Sequence, residues 1–164
     1  MRWSKLKSEI ESRFCESLRK RVSINSTRYG NCTCGHAWLT LDKKVIANFC
    51  TRAFWNNGPE FDQNRNKYIV VGNRDLEEKG KYQKLFNDYG ELSRQNVYES
   101  CWTYLHDLSI EEALLSSDPI IQSLSVIDKR VGKRRIKKIN KSELHPLAKK
   151  LIETRLKAEK TEKL

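Results

Sequence analysis

The sequence predicts an α+β fold, because a helix-like segment at the start is followed by strand-like segments and then by several more helix-like segments. From Trp3 to Val22, apolar residues recur every three or four positions, which is the period of one helix face. Residues 36–41 alternate in the manner of a strand. Beyond residue 73, capping signals and helical spacing recur. We therefore expect an N-terminal helix, an antiparallel meander of three or four strands, and a helical C-terminal half.

The meander is placed by composition and turn signals between residues 22 and 71. Residues 22–29 are rich in β-branched and aromatic types, and residues 45–50 form a short apolar run. Asp42-Lys43-Lys44 is predicted to be the tight reversal before that run. Residues 51–67 have the composition of a loop that begins with one helical turn. Residues 68–71 are either a fourth strand or a helix fragment, since periodicity cannot decide at this length.

Five helices are predicted in the second half, each from spacing and end signals. They are expected from Asn73 or Asp75 to Tyr89, from about Leu92 to His106, from Ser109 to Leu115, from Pro119 through Val131, and from between Ser142 and Pro146 onward. The chain then consists of a helix-plus-sheet half, 1–72, and a helical half, 73–164. We expect residues 1–164 to unfold as a single cooperative unit.

Positive charge is concentrated at the C-terminal end. The chain carries a net charge of +11, and residues 129–164 contain 14 basic residues against four acidic ones, so the rest is nearly neutral. Such asymmetry is typical of a protein that binds nucleic acid or an acidic protein. No apolar stretch is long enough to cross a membrane, and the N-terminus lacks an apolar signal core. We expect a cytoplasmic protein without a membrane partner.

The sharpest local feature is the run DKRVGKRRIKKI, residues 128–139. If the preceding helix continues through it, six cations fall within one half of the helix surface and can contact successive phosphates. This predicted polyanion-binding stripe consists of Lys129, Arg130, Lys133, Arg134, Lys137 and Lys138. The alternative is a hinge at Gly132 followed by a solvated basic loop. The first functional hypothesis is therefore non-enzymatic binding of DNA, RNA or another polyanion.

Two other classes of function stay open. One is a protein-interaction module, such as an inhibitor, immunity or accessory protein, whose basic end docks an acidic partner. The other is a phosphodiester-processing enzyme, for which Glu60, Asp62 and Lys67 offer only a weak approximation to a carboxylate site. The three histidines are scattered, and no phosphate-binding or metalloprotease motif is present. We therefore predict no catalytic residues and no cofactor.

Two residue clusters have both a functional and a structural interpretation. The first, with ligand types suited to zinc, is Cys32, Cys34, His36 and Cys50. Only one residue separates the first two cysteines, which is atypical of zinc sites, and the odd total of five cysteines fits reduced thiols. We therefore expect ordinary cysteines of a turn and a strand, with no bound metal. The second cluster consists of Phe49, Phe54, Trp55 and Phe61. It is either a stacking platform for bases or part of the core, and we favour the core.

Several stretches together resemble a family of small uncharacterised bacterial cytosolic proteins. These are MRWSKLK at the start, INSTRY, HAWLTLDKKVIANFCT and VIDKRVGKRRIKKI. The resemblance extends from Met1 to about Ile139. It implies a bacterial cytosolic protein but no activity and no assigned site. The family's hairpin turn carries other polar residues where this chain has Cys32 and Cys34, which counts further against zinc.

Overall fold

The computed structural model describes residues 1–64, 66–69, 86–87 and 90–161. These residues form two compact units, one made of 1–23 and 100–164, the other of 24–99. Cooperative unfolding of the whole chain, with a division near residue 72, stays a prediction. Within the described residues, no helix has both the length and the apolar character needed to cross a membrane.

The described elements confirm the α+β class. The α-helices are α1 (Trp3–Ser12), α2 (Thr51–Asn56), α3 (Arg94–His106), α4 (Ile110–Leu115), α5 (Pro119–Val126), α6 (Lys133–Lys138) and α7 (Pro146–Thr161), with a 3₁₀ turn at Lys141–Glu143 before α7. The strands are β1 (Val22–Arg28), β2 (Gly35–Leu41), β3 (Lys44–Cys50), β4 (Glu60–Asp62) and β5 (Lys67–Ile69).

The predicted meander is present as a three-stranded antiparallel sheet in the order β1-β2-β3. In the β2–β3 ladder, His36 pairs with Cys50 and Leu39 with Ala47. The connecting turn places Asp42 and Lys43 at φ 50° and 65°, two successive left-handed positions that characterise the type I′ hairpin turn. This turn has the twist that a two-residue connection between antiparallel strands requires.

The segment after β3 is more ordered than a loop. Helix α2 supplies the expected helical turn, and strands β4 and β5 then form a small antiparallel hairpin. Strand β5 overlaps residues 68–71, which were expected to be a fourth strand or a helix fragment, and residues 70–71 lie outside the described residues. Strand β4 falls in the predicted loop. Each strand has three residues, too short for an alternating pattern to be visible. The helix predicted from residue 73 to 89 lies mostly outside the described residues. Where it is described it is absent, because Phe86 bridges to Ala47 beside β3 and Asn87 has φ 63°.

The first helix is shorter than predicted. It ends at Ser12, whereas the apolar series continues to Val22. The physical reason is a backbone pairing with residues 127–129. Cys15 N donates to Ile127 O at 2.8 Å, and Lys129 N donates to Arg13 O at 2.8 Å. These bonds take the chain out of the helix, while Phe14 still points into the core, 1% exposed.

The remaining helices of the first unit follow the end signals in the sequence. Ser109 and Glu112 form the predicted capping box of α4. The Asp118 carboxylate caps α5 through the amides of Ile120 and Ile121. Helix α5 packs against both α4 and α7. Their shared core consists of buried aliphatic residues, among them Ile120, Leu124, Ile127, Leu147, Leu151 and Ile152.

Candidate polyanion-binding surface

The predicted cationic stripe does not lie on one continuous helix. Helix α5 ends at Val126 and α6 begins only at Lys133, so the first two cations of the stripe fall in the non-helical connection. The prediction of an uninterrupted helix is therefore wrong. The alternative was a hinge at Gly132 followed by a solvated basic loop. Gly132 is the N-cap of α6, so a helix follows it instead of a loop.

A buried carboxylate organises this connection. Asp128 is fully buried and accepts hydrogen bonds from the Tyr104 hydroxyl, the Arg130 amide at 2.7 Å and the Arg130 Nη2 at 2.8 Å. Burial opposes ionisation of Asp128, but the bonds from Arg130 and Tyr104 outweigh it and hold its pKa below the usual value. The pKa of Tyr104 is raised mainly by burial and, to a smaller extent, by the hydrogen bond to Asp128. The connection is thus held by an ionised, fully bonded carboxylate.

A buried arginine completes the same network from α7. Arg155 is 3% exposed, and its Nη1 donates to the carbonyls of Val126 and Asp128, each at 3.0 Å. Its Nη2 donates to Val131 O at 2.6 Å, and its Nε pairs with Glu159 Oε1 at 2.8 Å. The Val126 and Asp128 carbonyls are ones that a continuing helix would have satisfied internally. Arg155 satisfies them instead, which explains why α5 can end inside the core.

Two of the six predicted stripe residues therefore make internal contacts. Arg130 pairs with Asp128, and Lys129 donates from Nζ to Ser12 O at 2.9 Å. Both side chains stay partly accessible, but each is held by a neighbour within the first unit. We regard them as structural residues of the connection.

The other four predicted cations lie together on α6. Ile136 is fully buried and anchors this short helix, while the four cations around it are exposed: Lys133, Arg134, Lys137 and Lys138. The side chain of none of the four forms a hydrogen bond or ion pair with any residue in the described part of the chain. Arg135 differs, because its Nη1 binds Glu111 Oε1 at 2.6 Å. This hydrogen bond lowers the pKa of Glu111.

A groove between α6 and α7 extends the positive surface. It has a volume of about 610 Å³ and is lined by Lys137, Lys141, Glu153, Leu156, Lys157 and Lys160. Four of its six lining residues are lysines, and a single carboxylate opposes them. We use the name α6 basic surface for the exposed cations of α6 and this groove together: Lys133, Arg134, Lys137, Lys138, Lys141, Lys157 and Lys160.

The three lysines that the groove adds were not predicted from the sequence: Lys141, Lys157 and Lys160. One signal was available, since Lys157 and Lys160 are three residues apart and so share one face of α7. That α6 lies beside this face is a tertiary fact, which spacing along one helix does not contain. The groove is therefore a result of the structure.

The four residues considered as zinc ligands, Cys32, Cys34, His36 and Cys50, each have a hydrogen-bond partner within the protein. His36 Nε2 lies 3.1 Å from Asn48 Oδ1, Cys50 Sγ lies 3.5 Å from the Tyr29 hydroxyl, and Cys32 Sγ lies 3.2 Å from Tyr29 O. The bond to Cys32 is the main cause of a raised pKa of the Cys34 thiol. In the described ranges, no three or more histidine, cysteine or acidic residues are grouped so as to hold a metal ion.

The aromatic cluster separates into core and surface residues. Phe49 and Phe54 are each 2% exposed, whereas Trp55 and Phe61 are 56% and 50% exposed. Tyr68 links the two exposed rings, with centroid distances of 6.4 Å to Trp55 and 5.3 Å to Phe61. The expectation of a core role is met by two of the four predicted residues only.

Comparison with known proteins gives one result. The sequence model of the SF0329 protein family matches residues 2–156, nearly the whole chain. This match confirms the resemblance to a poorly characterised family, for which no activity is known. Comparisons with curated proteins and with solved structures found no match.

Proposed function

The chain belongs to the SF0329 protein family, and we propose that this member binds nucleic acid through the α6 basic surface without catalysing a reaction. The observation that carries the proposal is that, among the residues the structure describes, the side chains of Lys133, Arg134, Lys137 and Lys138 have no partner. A short helix with four such cations on a solvent-exposed face attracts anions along its whole length.

The type of cation supports phosphate contact over base reading. Six of the seven residues of the α6 basic surface are lysines, which bind phosphate as point charges without a fixed geometry. Arg134 is the single arginine, and bidentate arginine contacts are the commonest way to read guanine. We therefore expect binding to DNA or RNA with little sequence preference.

The groove adjoining α6 supports the proposal, because its lysines come from two separate segments. Lys137 and Lys141 line one side, and Lys157 and Lys160 of α7 line the other. A nucleic-acid backbone that follows this groove would meet lysines of both segments. The same charges would attract a strongly acidic protein, and this alternative is the one that the experiment must separate from nucleic acid.

The test is fluorescence anisotropy with a labelled DNA duplex of about 20 base pairs and a labelled single-stranded RNA, at about 50 mM salt. Lys137→Glu should weaken binding of both at least about fivefold, because it replaces a contact with a repulsion. Lys20→Glu changes the net charge equally at an exposed position outside the surface, and we expect less than about a twofold effect.

Two outcomes contradict the proposal. If wild-type protein binds neither nucleic acid, the α6 basic surface serves an acidic protein partner instead. If Lys137→Glu and Lys20→Glu weaken binding equally, the attraction depends only on net charge, and α6 is not the site.

A further inference from the structure

The turn between β1 and β2 carries two thiols that the proposed function does not use. Cys32 is exposed and Cys34 is half-exposed, and a single residue separates them in the chain. Cys50 is half-exposed at the end of β3, whereas Cys15 and Cys101 are buried. Because a dissolved reagent must reach a thiol in order to react with it, Cys32 and Cys34 are the pair most open to thiol chemistry.

Hydrogen bonds hold the backbone of this turn in place. Tyr29 N donates to Cys34 O at 2.9 Å, which closes the turn where the two strands end. Thr33 O, between the two cysteines, accepts from Arg94 Nη1 at 3.1 Å and from Gln95 Nε2 at 3.2 Å. Both donors belong to the first turn of α3, within the same compact unit. The backbone that carries the two thiols is therefore fixed from two sides.

The two thiols are close enough to bond with each other. Cys32 Sγ lies 3.2 Å from Tyr29 O and 3.9 Å from Cys34 O, so its side chain is folded back across the turn. A disulfide requires the two Cα atoms to lie within about 7 Å of each other. Residues two positions apart span at most about 7 Å even when the chain is extended, and this chain bends at Cys32 and Thr33. Closure of the pair therefore needs rotation of side chains and no rearrangement of the strands.

The surroundings of the pair favour the reactive, ionised form of a thiol. The positive charge of Arg52 favours the thiolates of both Cys34 and Cys50. Asp42 is the only acidic residue between positions 24 and 59, and it lies beyond the opposite end of β2. Partly exposed cysteines beside cations are typical of reactive sites, whereas buried cysteines are typically inert.

We propose that Cys32 and Cys34 form a redox-active pair, which reacts with a low-molecular-weight disulfide such as oxidised glutathione and closes to an intramolecular disulfide. Cys32 attacks first, because it is the more exposed thiol. Cys34 holds its proton at this stage, since the hydrogen bond to Cys32, and then burial, raise its pKa in spite of the charge of Arg52. The proposal goes beyond nucleic-acid binding and does not depend on it.

The exchange is balanced by glutathione alone. The Cys32 thiolate attacks one sulfur of oxidised glutathione, so that a mixed disulfide forms and one glutathione thiolate leaves. The mixed disulfide removes the hydrogen bond that kept the proton on Cys34. The Cys34 thiolate then attacks Cys32 Sγ and displaces the second glutathione. The two cysteines lose two electrons and two protons, and the two released glutathione thiols receive them.

The test equilibrates the purified protein with about 1 mM each of reduced and oxidised glutathione, followed by alkylation with N-ethylmaleimide and peptide mass spectrometry. Trypsin releases both thiols in one peptide, residues 29–43, and Cys50 in another, residues 45–52. We expect most of peptide 29–43 to be two hydrogens lighter than its reduced form and to carry neither maleimide nor glutathione. Excess reduced glutathione, about 10 mM, should restore the two thiols, because exposed disulfides are the labile ones.

Serine variants make the result specific. Cys34→Ser removes the thiol that resolves the mixed disulfide, so Cys32 should retain glutathione at a level at least about tenfold above that of wild type. Cys32→Ser removes the attacking thiol, and its peptide 29–43 should not lose two hydrogens. Cys50→Ser is the matched control, because it removes a half-exposed thiol from the neighbouring strand, and it should close within about twofold of wild type.

Three results would overturn the pair. Peptide 29–43 could stay fully alkylated in this buffer, or it could collect glutathione without losing two hydrogens. A disulfide between peptides 29–43 and 45–52, absent in Cys50→Ser, would equally contradict the proposal, because Cys50 would then be one of the partners. Lys137→Glu, which should impair DNA binding, lies in the other compact unit and should close as readily as wild type. Failure of either proposal therefore leaves the other standing.

Discussion

Arg155 provides the most demanding test of how the basic segment is held in place. Its guanidinium makes four bonds inside the first unit: three to the carbonyls of Val126, Asp128 and Val131, and one to Glu159. Arg155→Met keeps most of the side-chain volume but removes every donor. It leaves the Glu159 carboxylate, which is 9% exposed, without its partner. The carbonyls of Val126, Asp128 and Val131 each lose a donor.

Breaking a buried ion pair in this way costs about 3–5 kcal/mol of the free energy of unfolding, because the remaining charge is not compensated. With a urea slope of about 2 kcal/mol per molar, the midpoint should fall by roughly 2 M. The assay is urea unfolding at pH 7, followed by tryptophan fluorescence and by circular dichroism. Coincident curves from the two probes would support a single cooperative transition.

Two companion variants make the result specific. Lys150→Met makes the same replacement of a cation at an exposed position of α7, and it should change stability by less than about 0.5 kcal/mol. The double variant Arg155→Met with Glu159→Met removes both charges and should recover at least about 1.5 kcal/mol relative to the single variant. A loss below about 1 kcal/mol for Arg155→Met would refute the role given to this network.

Two further predictions concern acid stability. The pKa of Asp128 is lowered in the folded state by Arg130 and Tyr104 against the cost of burial, so its contribution is complete above about pH 4 and is lost as the pH falls further. The stability difference between wild type and Asp128→Asn should be constant above about pH 4 and shrink as the pH falls below it, and a difference that stays constant there would contradict this. Burial lowers the pKa of His145 to about 4, below the ordinary value of about 6.5. Between these values the unfolded chain binds a proton that the folded protein does not, so wild type should lose stability as the pH falls from about 6.5 to about 4. In the folded protein, Leu147 N donates to His145 Nδ1 at 3.2 Å, and the side-chain oxygen of His145→Asn can still accept this bond. This variant should show a flatter curve over the same interval in urea titrations.

The sequence was sufficient for the elements whose signals are local. The capping box at Ser109, the Asp118-Pro119 helix start and the reversal at Asp42 and Lys43 each depend on residues within a few positions of one another, and each is present in the structure. The end of α1 at Ser12 was missed because it depends on backbone bonds to residues 127–129, more than a hundred positions away. The period of the apolar residues reports which side chains are buried. It does not report where the backbone stops being helical if the apolar residues that follow are also buried.

For the candidate site, too, the sequence shows the local features but not those that depend on tertiary contacts. The charges of the DKRVGKRR run are visible in the sequence, and four of the six predicted cations lie exposed on α6. Their division into structural and exposed residues depends on Asp128, Tyr104 and Arg155, which come from three separate segments.

The salt dependence of DNA binding tests the central claim most directly, because it counts the phosphate contacts that the α6 basic surface makes. If about four of its seven cations engage a duplex at once, log affinity should fall with log salt with a slope of roughly −3.5. Arg134→Ala with Lys137→Ala should flatten the slope by roughly 2 and weaken binding similarly for every sequence. Lys5→Ala with Lys20→Ala removes the same charge at exposed positions elsewhere in the first unit and should change the slope by less than about 0.5. Equal slopes for the two double variants would contradict the account.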